Sequence, residues 1–196
     1  MICKYDRMLK IIPNLLTSLR LLSASFMLLS AIMGNKNIFI ILLIFAIITD
    51  SLDGFLARTF NSTSDLGAKL DSIADFSVAL LMPICLWQLF PAILEREAVY
   101  ISIILIGWLL HITIALCKFK TIPSYHTKIA KTATIIISIS FVTLLLFPDI
   151  YWPFRISSLW HTVAAIEGIL ITLKISKSQS NVPSFSGILK NIPPGE

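Results

Sequence analysis

Three long runs without a formal charge constrain this chain more than anything else in it. Phe76–Leu94, Ala98–Cys117 and Thr132–Pro148 are 19, 20 and 17 residues long and contain no Asp, Glu, Lys or Arg. About 20 apolar residues in helical form cross the hydrocarbon core of a bilayer. A backbone in lipid must satisfy its own hydrogen bonds, so these runs are expected as helices and not as open strands. Leu21–Asn35, Asn37–Thr49 and Ile156–Ile166 are also charge-free. They are shorter, and reach membrane length only if charged neighbours enter with them. The pattern predicts an all-α membrane protein with six transmembrane helices, at about 14–34, 37–59, 67–94, 98–118, 127–147 and 154–175.

Composition agrees. Only 14% of the 196 residues are charged and 56% are hydrophobic, where a soluble domain carries about 25% charged residues. That excludes an ordinary soluble globule and a disordered chain. Cys3, Cys85 and Cys117 are odd in number and widely spaced, so they suggest neither a disulfide framework nor a zinc site. The net charge of +5 is small and scattered. The expected partner is therefore the lipid bilayer, and no nucleic acid is expected.

The positions of the basic residues set an orientation, because cytoplasmic loops carry the excess of Lys and Arg. With the N-terminus in the cytoplasm and six alternating spans, 13 of the 16 basic residues lie inside. Lys36, Arg96 and Arg155 lie outside. Both termini are expected to be cytoplasmic, in a multi-pass protein of a membrane such as the bacterial inner membrane. The start has the basic-then-apolar form of a signal peptide, but Arg20 interrupts the apolar run, so an uncleaved first helix is expected. Residues 1–177 read as one six-helix domain, and 178–196, rich in Ser, Pro and Asn, as a flexible cytoplasmic tail.

The chemistry concentrates between the second and third helices. Four of the eleven acidic residues, Asp50, Asp53, Asp71 and Asp75, fall at helix ends within one 26-residue stretch. At about 100° per residue, Asp53, Gly54, Ala57 and Arg58 share a face with Asp50, and Gly67, Asp71 and Asp75 share a face on the next helix. Two helices joined by a short loop can aim these four carboxylates at each other. Clustered anions in a low dielectric need countercharge. Two divalent cations cancel four carboxylates, and hard oxygen ligands suit Mg²⁺ or Mn²⁺. Gly54, Ala57 and Gly67 leave room for a ligand, and Arg58 offers a fork for phosphate. The alternative is that the small residues only pack helices and that Arg20, Arg58 and Lys69 pair the acids. Asp65 reads as a solvated loop residue.

The spacing D-x2-D-G-x2-A-R-x8-G-x3-D-x3-D resembles the signature of the CDP-alcohol phosphatidyltransferases, and Asp50 to Asp75 match it at every fixed position. The resemblance implies six helices around a polar cavity open to the cytoplasm, a homodimer, CDP-diacylglycerol as donor and release of CMP. By motif position it implies that Asp50, Asp53, Asp71 and Asp75 hold two Mg²⁺ or Mn²⁺ ions. It also implies Asp75 as general base and Gly54 and Arg58 as ligands of the cytidine nucleotide. Ser64 matches a hydroxyl position that touches the nucleotide.

Two segments support this reading. In Pro13-Asn14-Leu15-Leu16-Thr17-Ser18-Leu19-Arg20, Pro13 suits a first helical turn. Asn14, Thr17 and Arg20 form a polar stripe, read either as an interfacial helix start with a snorkelling Arg or as a wall of the CDP-lipid site. This stretch resembles the opening of phosphatidylglycerophosphate synthases. Lys128 and Lys131, a turn apart, can fix the phosphate of an acceptor or anchor the chain to anionic lipid. Here the chain has T-K-I-A-K-T-A-T, without the Gly and Gln of those synthases. His111 and His161 read as structural histidines, His126 lies beside the acceptor segment, and Glu167 either serves the cavity or pairs with a neighbouring helix.

The function expected is phosphatidyl transfer from CDP-diacylglycerol to a small alcohol, with glycerol 3-phosphate as first choice. Cardiolipin, phosphatidylserine or phosphatidylinositol phosphate synthesis are the alternatives within the family. A cation transporter with intramembrane carboxylates is the alternative outside it, although it would not require Arg58 or the motif glycines.

Overall fold

The computed structural model describes residues 2–59, 65–120 and 127–175, with side chains described for 17–52, 74, 76–120 and 127–175. These residues form six helices: α1 (Ile2–Ile32), α2 (Lys36–Thr59), α3 (Asp65–Leu89), α4 (Pro91–Phe119), α5 (Lys128–Leu146) and α6 (Trp152–Lys174). Among the described residues, α4, α5 and α6 are long and apolar enough to cross a membrane. The chain divides into two compact units, residues 1–94 and 95–196.

In the first unit α1 packs against both α2 and α3. Its buried face runs through Thr17, Arg20, Ser23, Ala24, Met27, Ser30 and Ala31, the three-and-four spacing of one helical stripe. Most of these side chains are small, so the neighbouring helices can approach closely. Phe39, Leu43 and Ala46 of α2 and Leu86 and Leu89 of α3 complete the core.

The turn between α1 and α2 follows from two residues. Gly34 takes φ +71°, a left-handed conformation that glycine adopts without a Cβ penalty. The Gly34 N–H donates to Ala31 O at 3.0 Å and the Asn35 N–H to Ser30 O at 2.9 Å, the paired bonds that close a helix C-terminus. Asn35 then opens α2, its Oδ1 accepting from the Ile38 N–H at 3.1 Å as an N-cap.

Two expected boundaries move. The first helix begins at Ile2, not near residue 14, so Pro13 lies inside it. One proline forfeits its own N–H bond, and the helix-forming Lys, Arg, Met and Leu before it still propagate the helix. The third helix stops at Leu89 instead of running to residue 94, and α4 starts at Pro91. A residue before proline is pushed out of the α region while proline suits a first helical turn. The break therefore falls at Phe90, and residues 95–97, expected in a loop, are helical.

In the second unit α5 packs on α6, with Ser140 and Ser157 hydroxyls 2.6 Å apart across a buried contact and Phe141 tilted against Phe154. On α4 and α6, Gly107 and Gly168 allow close packing. A Cβ at Gly168 would lie 2.7 Å from the His111 ring, and one at Gly107 3.3 Å from Ala165 Cβ. Much of α4 is exposed and apolar, including Val99, Ile106, Leu109 and Leu116, as suits a lipid-facing helix.

The first turns of α4 and α6 are tied by charge. Glu97 is fully buried, and its carboxylate accepts from Arg96 Nε at 2.8 Å and from Arg155 Nε at 2.8 Å and Nη2 at 3.2 Å. Arg155 stacks over Tyr151 and Tyr100, and Arg96 reaches Pro148 O. Glu97→Gln removes the charge from the centre of this cluster. It is expected to lower the melting temperature in detergent by roughly 5 °C, the loss of one or two charged hydrogen bonds. An unchanged melting temperature would show that the cluster contributes nothing.

Candidate functional site

The acidic motif occupies the last turns of α2 and the first turns of α3, as its spacing requires. Asp50, Asp53, Gly54 and Arg58 lie on α2, and Asp71 and Asp75, one turn apart, lie on α3. The segment between them, including Ser64, lies outside the described residues. The side chains of Asn14, Asp53, Arg58, Asp71 and Asp75, and the surroundings of Gly54, also lie outside those described. Ala74, between the two α3 acids, is completely buried.

Asp50 is the acid whose surroundings are described. Arg20 Nη2 on α1 lies 3.0 Å from Asp50 Oδ1, with Arg20 2% exposed and Asp50 43% exposed. Of the readings offered for Arg20, pairing with a motif acid is what the structure shows, and the reading of it as a residue snorkelling to the membrane surface is corrected. Its guanidinium is buried in the face of α1 that packs on the neighbouring helices, where a carboxylate compensates its charge better than a long reach to water. Beside it Thr17 is 3% exposed, and the Ser23 hydroxyl donates to Arg20 O at 2.7 Å. Thr49, next to Asp50, turns its hydroxyl back to Phe45 O and Ala46 O, both at 3.0 Å.

The donor set of the motif is four carboxylates, whose hard oxygens suit Mg²⁺ or Mn²⁺. Asp50 fits that use: it is part-exposed in the last three turns of α2 and paired on one side with the buried Arg20. Among the described residues no three His, Cys, Asp or Glu side chains come together, since the motif's other three acids are outside those described.

The second candidate region begins at α5. Thr127 caps the helix, its Oγ1 accepting from the Ala130 N–H at 3.0 Å. Lys128 and Lys131 follow on the first turn and both are exposed. His126 lies outside the described residues. Lys118, on the preceding helix, is engaged elsewhere, and its Nζ donates to Thr172 O at 3.0 Å and Leu173 O at 2.7 Å. It neutralises the carbonyl end of α6, where a cation is favoured. No local signal in the sequence marks this bond, which joins residues more than fifty positions apart.

Within the same unit, His111 and His161 line a cavity of about 150 Å³ together with Trp108, Thr127, Thr134 and Gly168. Nothing in their spacing along the chain brings these two histidines together. Glu167 is buried on α6.

The family profile described as CDP-alcohol phosphatidyltransferase matches residues 10–173. The chain belongs to this family. The match takes in all of α2 to α5, most of α1 and α6, and the whole acidic motif. The chain's helices α4, α5 and α6, long and apolar enough to cross a membrane, all fall within the matched span but for the last residue of α6. It is 31% identical over 118 residues to a Schizosaccharomyces pombe protein, "Cardiolipin synthase (CMP-forming) / mitochondrial hydrolase fusion protein"; the alignment covers 59% of this chain and 19% of that one. It is 31% identical over 93 residues to the Arabidopsis thaliana "Probable CDP-diacylglycerol--inositol 3-phosphatidyltransferase 2" and 30% identical over 93 residues to "CDP-diacylglycerol--inositol 3-phosphatidyltransferase 1" of the same plant. Each of those alignments covers 47% of this chain and 39% of the relative. The chain thus spans about a fifth of the first relative and two fifths of the other two. No solved structure matches.

Proposed function

We propose that this protein transfers a phosphatidyl group from CDP-diacylglycerol to an alcohol and releases CMP. The observation that carries this reading is the complete acidic motif, Asp50 to Asp75, on two consecutive helices of a chain matched to the family over residues 10–173. In the step proposed, the acceptor oxygen bonds to the lipid-side phosphorus, the bond from that phosphorus to the CMP oxygen breaks, and the hydroxyl proton passes to the Asp75 carboxylate. Gly54 and Arg58, with Asn14, Thr17 and Ser64, hold the cytidine diphosphate end of the donor. Asp50, Asp53, Asp71 and Asp75 are the residues that would hold two divalent ions. Such ions, when bound, neutralise charge on the diphosphate and on departing CMP. Most of the rate advantage then comes from positioning and electrostatics, as in phosphoryl transfer generally.

The wider arrangement follows from the same reading. All six helices span the membrane, both termini are cytoplasmic, the polar cavity opens to the cytoplasm where the nucleotide is soluble, and two copies form a homodimer. Glycerol 3-phosphate is the first acceptor, supported by two exposed lysines, Lys128 and Lys131, at the start of α5. A lipid acceptor leading to cardiolipin is the second reading, favoured by the relative of that name aligned over 59% of the chain.

The deciding experiment supplies purified protein with labelled CDP-diacylglycerol and, separately, glycerol 3-phosphate, phosphatidylglycerol, inositol, inositol phosphate and serine. Acceptor-dependent CMP release and a labelled phosphatidyl product are expected. Failure to release CMP with every one of these acceptors would overturn the assignment.

A further inference from the structure

We infer that Arg20 is a positioning residue for Asp50, fixing this carboxylate for metal binding; the inference rests on the metal-dependent reading above. The two partners differ sharply in burial. The Arg20 side chain is 2% exposed and the Asp50 side chain 43% exposed, across a 3.0 Å ion pair. The arginine is therefore the support and the aspartate the group presented outward.

The support is itself buried. Arg20 lies within the buried stripe of α1, between Thr17 and Ser23, and α1 packs on both α2 and α3. Its planar fork sets the direction of approach to a carboxylate, which a flexible ammonium does not do as well. A carboxylate can accept from a guanidinium and still ligate a metal, since its two oxygens offer about four lone-pair sites. Groups that orient metal ligands from behind commonly change metal affinity ten- to a hundredfold when removed.

Two simpler roles make different predictions. A bridge that only joins α1 to α2 would affect folding and leave metal affinity alone once the protein is folded. A bare countercharge would repel a divalent ion, so removing it would tighten metal binding. Positioning alone predicts weaker binding transmitted through Asp50.

The test titrates Mn²⁺ into the purified full chain in detergent and reads free Mn²⁺ by electron paramagnetic resonance. Arg20→Gln is expected to weaken Mn²⁺ binding by about tenfold or more, with Arg20→Lys between it and the native chain. The double variant Arg20→Gln/Asp50→Asn is expected to bind within about twofold of Asp50→Asn alone, because coupled residues do not add. Melting without metal identifies folded variants. If Arg20→Gln does not fold, Arg20→Lys carries the test and must lose at least about threefold. Unchanged or tighter binding in the folded Arg20 variant, or additive losses in the double variant, would overturn the positioning role. A native chain that binds no Mn²⁺ would instead overturn the metal reading on which it stands.

Discussion

Asp50→Asn is expected to lower turnover by at least about a hundredfold, because it removes one of the four charged ligands of the proposed metal site. The amide keeps the shape of the carboxylate and loses its charge. It also takes this anionic partner from Arg20, which is 2% exposed and lies 3.0 Å from Asp50 Oδ1. Asp71→Asn is expected to fall comparably, as the corresponding acid on α3. Ser51 gives the local control: it is exposed, and its hydroxyl donates to Ile47 O at 3.0 Å within its own helix. Ser51→Ala should stay within about twofold. The measurement is CMP release from CDP-diacylglycerol with the acceptor found active. Excess chelator should abolish it, and added Mg²⁺ or Mn²⁺ should restore it. Full activity in excess chelator would remove the metals from the reaction and leave the four acids needing another explanation.

Where a property depends on neighbours in sequence, it was legible before the structure. The charge-free runs announce α4, α5 and most of α3, and Lys36 marks the start of α2 within one residue. The acidic motif reads correctly onto two consecutive helices because its spacing is itself helical. Properties set by distant partners were not legible. Arg20 reads in sequence both as an interfacial cation and as one of three countercharges for the motif acids, and only packing selects Asp50, thirty residues away, as its partner. Lys118 belongs to a basic segment, yet it caps α6. Glu97 sits beside Arg96 and reads as a loop residue, yet it is buried because Arg155 closes on it from the start of α6. In each case a lone charge in an apolar chain found its countercharge or carbonyl through packing. That pressure is general when water is scarce, but sequence does not say which partner answers it. The moved boundary at Phe90 is different. Pro91 is a local signal, and the apolar run across it hid a break that proline chemistry predicts.

Asp75→Asn separates the two roles that the motif gives one residue. Asp75 lies one turn beyond Asp71 on α3, so a ligand and a base can follow each other along one helix face. If Asp75 takes the acceptor's proton, its amide variant loses the acceptor of that proton. The single-turnover rate is expected to fall by about a hundredfold or more, the usual scale for a general base. The affinity for CDP-diacylglycerol should then stay within about threefold, because the other three proposed ligands, Asp50, Asp53 and Asp71, are unchanged. This combination, a lost chemical step with retained binding, marks an interaction made in the transition state. A residue serving only as ligand gives the other pattern, in which donor affinity and metal requirement shift as far as in Asp50→Asn. Both quantities are to be read on one preparation, donor binding by equilibrium titration and chemistry by rapid mixing at saturating acceptor. Raising the pH adds a further distinction. Hydroxide can take over part of a missing base's work, so the rate of Asp75→Asn should climb with pH more steeply than the native rate, whereas a lost ligand gives no such recovery. An unchanged single-turnover rate would take Asp75 out of the proton transfer and hand it to water or another group.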